Sequence, residues 1–411
     1  MPKPPGADAR TGWILAGVLA VAVLALGVVA WLAHWRLGAD SAVYRAGAMA
    51  LLKGEPIYTR DVLTTLPDWV RLPFTYTPAA ALLFLPFALV PTGLLWGVVG
   101  CLSVVGLIVV IAVVLSPSGW TRVAWALPVG TASVLVLEPV WKTLFLGQIN
   151  LILMALVVLD VLVLSARGCA DAPSAGKRTS GWRWAGVLIG VAAAVKLTPL
   201  VFVPHLFFTG RWKDGLRAVG TFVVLEAVMF AVIPVDAARF WRDSATDPSR
   251  IGSVHWIFNQ SLNGMVSRAA QLAPWSLVLA VAIAAVLAVP AIWLVVRLHR
   301  RGEEAAALLV TAFYGLLFSP VSWSHHWVWA VPLIVLLLVK GRRIAAGAVF
   351  VLFASQIVML VPNGGDTEFR WGLGMAVLGN LYVLAAAAGI LGLAARELRL
   401  TRRRSARVAP A

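Results

Sequence analysis

Long apolar blocks, broken by short polar stretches, run along almost the whole chain. They lie at about 12–34, 76–90, 92–115, 123–139, 147–166, 184–195, 199–209, 215–235, 273–296, 304–318, 325–339, 343–361 and 372–395. Such blocks predict helices whose outer faces meet lipid and neighbouring helices. Several fall short of the ~20 residues that a perpendicular crossing needs. These are expected to tilt, break or stop halfway. The fold class expected is therefore an all-α polytopic membrane protein with about 11–13 transmembrane helices, folded as one integral membrane domain over residues 1–411. The first block, Gly12 to Ala33, is too long for the apolar core of a signal peptide. No small-x-small site precedes Trp35, so the block is expected to remain as an anchor helix.

Composition agrees. The 411 residues are 61% hydrophobic and 13% charged, against roughly 45–50% and 25% in a soluble domain. A net charge of +16 raises the question of nucleic acid, and its distribution answers it. Most basic residues sit in residues 1–11, at Arg122, and in "RGCADAPSAGKRTSGWR", "GRWKDGLR", "RLHRRGEE", "KGRR" and the tail 396–411. That is the bias of cytoplasmic connectors, not a nucleic-acid patch. Both termini are therefore expected in the cytoplasm, with the tail near anionic lipid. The opposite face receives the loops 35–75 and 236–272, the bend near Lys196 and the stretches 140–147, 319–325 and 362–371, and the acids assigned to that face are Asp40, Glu55, Asp61, Asp68, Glu138, Asp236, Asp243, Asp247, Asp366 and Glu368. Two full crossings between 76 and 115 would invert everything downstream, so 76–90 is expected to be a half-span, and 140–147 an outer loop. Cys101 and Cys169 form no disulfide framework and read as free thiols. No repeat period stands out.

Candidate chemistry gathers on the outer face. Asp40, in "GADSAVYRAG", is either the cap of a surface helix or a carboxylate tuned to take a hydroxyl proton. Tyr44 lies one helical turn on, with Arg45 beside it. "FTYTPAAALLFLPFALVP" carries Tyr76 among three prolines, which suit a bent packing helix or a broken one lining a cavity. In "LGQIN", Gln148 and Asn150 could hold sugar hydroxyls or simply tie a helix start. Lys196, in "AAAVKLTP", costs ~2.5–3.5 kcal/mol to insert, and either snorkels or meets a lipid phosphate. "SVHWIFNQSLNGMVSR" offers His255, Asn259, Gln260 and Arg268, read as a binding loop; Asn259 also begins a glycosylation sequon. "SPVSWSHHWVW" places His325 and His326 at a span entrance. Neighbouring histidines on a helix diverge and no further ligands accompany them, so phosphate or sugar contact is preferred over metal.

Six of these blocks, in this order over about residues 38–340, resemble the polyprenyl-phosphate-mannose-dependent α-1,2-mannosyltransferases of actinobacteria, glycosyltransferase family 87. They are "DSAVYRAGAMALLKGEPIY", "FTYTPAAALLFLPFALVP", "GQINLILMALVVLD", "VKLTPLVFVPHLF", "FNQSLNGMVSR" and "SPVSWSHHW". The resemblance implies a GT-C type bundle with short extracytoplasmic helices after the first span. It maps the catalytic aspartate onto Asp40. It also implies a lipid-linked donor, polyprenyl-phosphate-mannose, used on the extracytoplasmic face of the cell membrane. The acceptor would be a phosphatidylinositol mannoside, or lipomannan and lipoarabinomannan.

The chemistry implied is proton removal from an acceptor 2-hydroxyl by Asp40, with Lys196, Arg268, His325, His326 and Arg45 as candidates for the donor phosphate. Tyr44, Tyr76, Gln148, Asn150, His255, Asn259 and Gln260 are candidates for sugar and acceptor. A lipid-phosphate donor asks for no cofactor, and neither a nucleotide-binding glycine loop nor an Asp-x-Asp metal motif is visible. A transferase for another lipid-linked sugar, such as arabinofuranose, is the nearest rival. A secondary transporter would want mid-membrane charge, for which Glu226 is the one acid.

Overall fold

The structure, a computed structural model, describes residues 7–59, 63–120, 123–165 and 183–408. Arg122, Asp61 and the basic loop with Cys169 lie outside these. Among the described residues there is no β-strand, only an isolated bridge between Asn259 and Trp323. Among the described residues six helices are long and apolar enough to cross a membrane: Asp8–Leu32, Thr92–Ser118, Trp212–Val232, Ser276–Arg300, Arg343–Leu360 and Leu381–Arg402. The pair Ala126–Val134 and Glu138–Leu146, bent by 79°, makes a seventh if counted as one span. The chain is an all-α multi-pass membrane protein. The further crossings in the 11–13 transmembrane helices expected from the apolar blocks correspond to short or broken helices, among them Asn150–Leu164, Thr198–Phe208, Glu304–Phe318 and Ser324–Val339.

The chain divides into two compact units. Unit one comprises Met1–Phe207, Arg211–Gly252 and His325–Ser355; unit two comprises Phe208–Gly210, Ser253–Ser324 and Gln356–Ala411. The loop 236–272 changes unit after Gly252.

In unit one, α1 (Ala7–Leu32) packs along α5 (Thr92–Leu115). Gly27 and Gly97 face each other at the crossing. A Cβ on Gly97 would stand 2.6 Å from the Gly27 Cα. Small residues let helix backbones approach where no hydrophobic effect drives association in lipid. The next face of α5 meets α8 (Asn150–Leu159), with Gly106 against Ala155 and Leu151. Residues of the α5 span are 67% buried, against 22% for the first span, so α5 is the central post of this unit.

Between these posts the chain is short and broken. α2 (Ala39–Lys53) starts after Gly38 and ends at Gly54, both left-handed. The Gly54 and Glu55 amides close the helix on Leu51 and Ala50, a glycine stop that satisfies the last carbonyls. α3 (Pro78–Leu83) and α4 (Leu85–Ala88) together hold ten residues, or about 15 Å of rise, half of a ~30 Å core. The half-span expected at 76–90 is therefore too short to cross. α6 (Ala126–Val134) bends into α7 (Glu138–Leu146), so 140–147 is helix, not the loop expected; Pro139 in its first turn suits a helix start. α9 (Val187–Val195) stops at Lys196, whose backbone is extended, before Pro199.

Unit two is built on helices Ser276–Arg300, Glu304–Phe318 and Leu381–Val408. Glu397 is buried and pairs with Arg297 at 2.9 Å and Arg301 at 2.6 Å. The start of the expected basic tail is therefore part of a packed helix that continues to Val408.

Gly97→Leu is expected to force α1 from α5 at a cost of ~1–3 kcal/mol and to lower the unfolding midpoint in detergent. Unchanged melting would mean that this crossing does not support the unit.

Candidate active site

Asp40 is the second residue of α2. The helix takes its N-cap from Gly38 and makes no side-chain cap bond, so capping is not what this carboxylate does. An acid in the first turn still gains from the partial positive charge there. Its position depends on two glycines. Gly38 donates its N–H to Phe145 O at 3.3 Å. Gly147 (φ +67) turns the end of α7 so that a Cβ there would lie 2.7 Å from Ser41 Oγ. Trp96 of α5 adds a bond to Leu144 O at 2.8 Å. These contacts lay the start of α2 against the α7–α8 turn and put Asp40 beside Gln148.

A tyrosine relay holds Gln148. Tyr76 Oη donates to Tyr44 Oη at 3.1 Å, and Tyr44 Oη donates to Gln148 Oε1 at 3.2 Å. The Ile149 amide also donates to Tyr44 Oη at 3.1 Å. Tyr44 is thus saturated by protein, and its ring is stacked on Phe84 at 4.6 Å. With Gln148 Oε1 engaged by tyrosine, its amide N–H group is the one turned to the Asp40 carboxylate.

On the other side of Asp40 stands Lys196, where α9 breaks. Thr77, the N-cap of α3, holds that break by donating to Ala194 O. The ammonium donates to Asn150 Oδ1 at 3.2 Å and meets His326 Nε2 at 3.0 Å. With the ammonium donating, that histidine nitrogen is unprotonated. The Asn150 amide donates in turn to His325 O at 3.0 Å, and Thr143 Oγ1 to the same carbonyl at 3.1 Å. The His325 ring turns inward. Both its nitrogens are buried and lack a hydrogen-bond partner among the described residues.

Burial raises the Asp40 pKa to about 6, against the opposing pull of the Lys196 charge and the Gln148 amide. Burial likewise lowers Lys196 to about 8, opposed by Asp40. Near neutral pH the carboxylate is ionised and the amine protonated, so the two charges balance. Tyr44, Tyr76, Gln148, Asn150 and His325 are buried, whereas Asp40, Lys196 and His326 each keep part of their surface open. The arrangement offers a base of near-neutral pKa and a cation with one N–H uncommitted, the combination needed to take a proton from one group while holding an anion.

The other candidates have different work. Arg45 Nε donates to Val90 O at 2.8 Å and braces the turn after α4. Glu226 is buried in Trp212–Val232 beside Thr77 and Trp241. In unit two, Arg268 donates to the carbonyls of His255, Trp256 and Asn259 at 3.0–3.2 Å, and to Asn380 Oδ1 at 2.5 Å. Asn259 donates to Val254 O and Pro320 O and accepts from the Ser322 amide. Gln260 donates to Ile257 O and Gly379 O, and His255 meets Gly365 O at 3.0 Å and packs tilted against the Phe369 ring. Arg268, Asn259 and Gln260 are buried. The expected binding loop is in fact a self-tied scaffold, and the sequon asparagine is interior. Missed from sequence were Gly38, Gly147, Trp96 and Thr143. The glycines flanking helix ends were the available signal.

The sequence pattern of glycosyltransferase family 87 matches residues 74–320. That stretch contains Tyr76, Gln148, Asn150 and Lys196 and stops short of Asp40 and His326. Curated relatives align further. A polyprenol-phosphate-mannose-dependent α-(1-2)-phosphatidylinositol mannoside mannosyltransferase of Mycobacterium tuberculosis is 30% identical, over 96% of this chain and 92% of its own length. One of the same description from Mycolicibacterium smegmatis is 34% identical over 80% and 74%. A polyprenol-phosphate-mannose-dependent α-(1-2)-phosphatidylinositol pentamannoside mannosyltransferase of M. tuberculosis is 32% identical over 96% and 89%. No solved structure matches the chain significantly.

Arg268→Ala leaves three carbonyls and Asn380 without their donor, and is expected to destabilise unit two by ~2–4 kcal/mol. Thermal unfolding in detergent checks this; melting like the wild type would contradict the scaffold assignment.

Proposed function

The chain belongs to glycosyltransferase family 87, and from that premise we propose that it moves mannose from polyprenyl-phosphate-mannose to a mannose 2-hydroxyl on a phosphatidylinositol mannoside type of acceptor, forming an α-1,2 linkage. One observation carries the assignment of roles. Of the cluster's side chains, only Asp40, Lys196 and His326 keep open surface, and they are a base, a cation and an imidazole side by side.

In this reading Asp40 accepts the proton of the acceptor 2-hydroxyl while that oxygen bonds to the anomeric carbon. The bond from that carbon to the donor phosphate oxygen breaks, and polyprenyl phosphate leaves with the electron pair. The transition state has oxocarbenium character. A single displacement inverts the anomeric centre, so an α product requires a β-linked donor. The Lys196 ammonium holds the charge that develops on the phosphate, as a fixed cation in a partly desolvated site. His326, oriented by Lys196, is the second contact for that phosphate. A phosphate leaving group needs no acid, which suits a site with one accessible carboxylate. The reaction belongs on the extracytoplasmic face, because the charge bias of the connectors assigns the Asp40 loop there.

Gln148, Tyr44 and Asn150 shape this site without reaching substrate. Gln148 steadies the base, and Asn150 steadies Lys196 and the paired-histidine segment. Tyr76 supports the relay with its hydroxyl and lies with its ring 5.8 Å from the Lys196 ammonium.

Purified protein supplied with polyprenyl-phosphate-mannose and a phosphatidylinositol mannoside is expected to extend the lipid, and Asp40→Asn to lower kcat by about 10²–10⁴. Full activity in that variant would remove Asp40 from the base role; transfer from a nucleotide sugar would remove the lipid-phosphate donor. A second expectation concerns pH. Gln148 favours the charged form of Asp40, so Gln148→Leu raises the Asp40 pKa further above its ordinary value. The acid limb of kcat/KM, near pH 6 in the wild type, should move to higher pH. A limb that stays in place would detach Gln148 from the base.

A further inference from the structure

Unit one contains another cleft, of about 590 Å³, between the first polar loop and the segment that follows Trp212–Val232. Tyr58 and Pro73 line one wall, and Arg239, Asp243, Asp247 and Arg250 the other. None of these residues belongs to the cluster around Asp40. The size falls within the roughly 300–1,000 Å³ of small-molecule sites.

The two walls are fastened together. Asp236 Oδ2 accepts from the Ile57 amide at 3.0 Å, and its Oδ1 lies 3.5 Å from Arg239 Nη1. Arg239 Nη1 donates to Tyr58 O at 3.4 Å, and Arg250 Nη2 to Thr59 O at 3.3 Å. Each guanidinium is thereby held by one edge, while its planar fork carries five N–H donors. The Tyr58 ring is wedged between Phe74 at 5.9 Å and Phe240 at 5.1 Å. Asp243 is exposed and takes no hydrogen bond or ion pair among the described residues.

The charge balance selects the ligand. Among the described residues the lining carries two arginines and two aspartates, and Asp236 offsets Arg239 from behind, so no excess positive charge favours a phosphate. Carboxylates that accept, set beside guanidinium groups that donate, match adjacent hydroxyls, each of which donates and accepts. Pro73, half-buried at the cleft, supplies an apolar contact for the C–H face of a pyranose, while the buried Tyr58 ring stiffens the wall behind it. The cleft is also joined to the reactive cluster. Tyr58 Oη donates to Tyr76 O at 2.7 Å, and the Tyr76 hydroxyl heads the relay that ends at Gln148 and Asp40.

We propose that this cleft binds the carbohydrate of the acceptor, an uncharged mannosyl segment whose terminal 2-hydroxyl is thereby directed to Asp40. The proposal rests on the mannosyl-transfer reading above and extends it to acceptor recognition.

The test uses the full chain in detergent or nanodiscs, with Asp243→Asn and Arg250→Gln. Steady-state transfer from polyprenyl-phosphate-mannose to a phosphatidylinositol mannoside should show the acceptor KM raised about tenfold in each variant, as for the loss of one hydrogen bond to a charged group. The donor KM should not move. If Arg250→Gln raises the acceptor KM while Asp243→Asn lowers it, the cleft holds an anion and the carbohydrate assignment is overturned. A change confined to the donor KM, or none at all, overturns it too. Saturation-transfer NMR with free α-linked mannobiose gives a readout without turnover: contact in the wild type, lost in Asp243→Asn. Wild-type protein that binds mannobiose but transfers no mannose would refute the transfer reading alone. Wild-type protein that transfers mannose without contacting mannobiose in this cleft would refute the cleft alone.

Discussion

A half-buried ammonium among apolar helices must be answered by a carboxylate and by acceptors, or it is expelled. Lys196 imposes that requirement on unit one. Its partners come from four separate stretches of chain: Asp40 from the start of α2, Asn150 from the start of α8, His326 from the segment before Ala330–Val339, and the Tyr76 ring from before α3. Each approaches through a helix start or a break. A continuous helix would keep its own backbone satisfied, but could not bring four polar side chains to one point. The broken elements cost regular hydrogen bonds, and Thr77, Asn150 and Thr143 restore them by bonding the freed carbonyls of Ala194 and His325.

Around this polar centre the packing is close and dull by design. Gly27 against Gly97, and Gly106 against Ala155, bring α1 and α8 onto the central α5 without large side chains between them. The same α5 supplies Trp96, which pins the α7–α8 turn and so fixes Gln148 relative to Asp40. Rigid spans thus set the register of the short helices, and the short helices set the geometry of the base. Such support matters for catalysis, since a misplacement of about 1 Å costs on the order of 10²-fold in rate.

Polar residues of the expected outer loops fall into two kinds. Those around Asp40 leave three functional groups partly open. Those around Arg268 are turned inward: one guanidinium serves three carbonyls and an amide, and Asn259 and Gln260 donate within their own unit, with Arg268 Nε and Gln260 Oε1 left over. Both kinds look alike in one dimension, because donors cluster in the sequence whether they serve a ligand or a turn. Burial separates them.

The sequence by itself determined the class of molecule. Apolar blocks of bilayer length, few charges and basic connectors leave no other solution than a helical membrane bundle, because backbone polar groups in hydrocarbon must be satisfied within helices. The ordered blocks around Asp40, Tyr76, Gln148, Lys196 and the paired histidines also made the family legible. Tertiary structure decided what no pattern encodes. It made Asp40 a first-turn acid and not a cap, turned His326 outward and His325 inward, and saturated Tyr44. It divided the chain into two units and set a charge-balanced cleft beside Tyr58 from residues about 180 positions apart. Sequence spacing records which faces are apolar, whereas the work of a polar side chain depends on partners that meet it only after the helices pack.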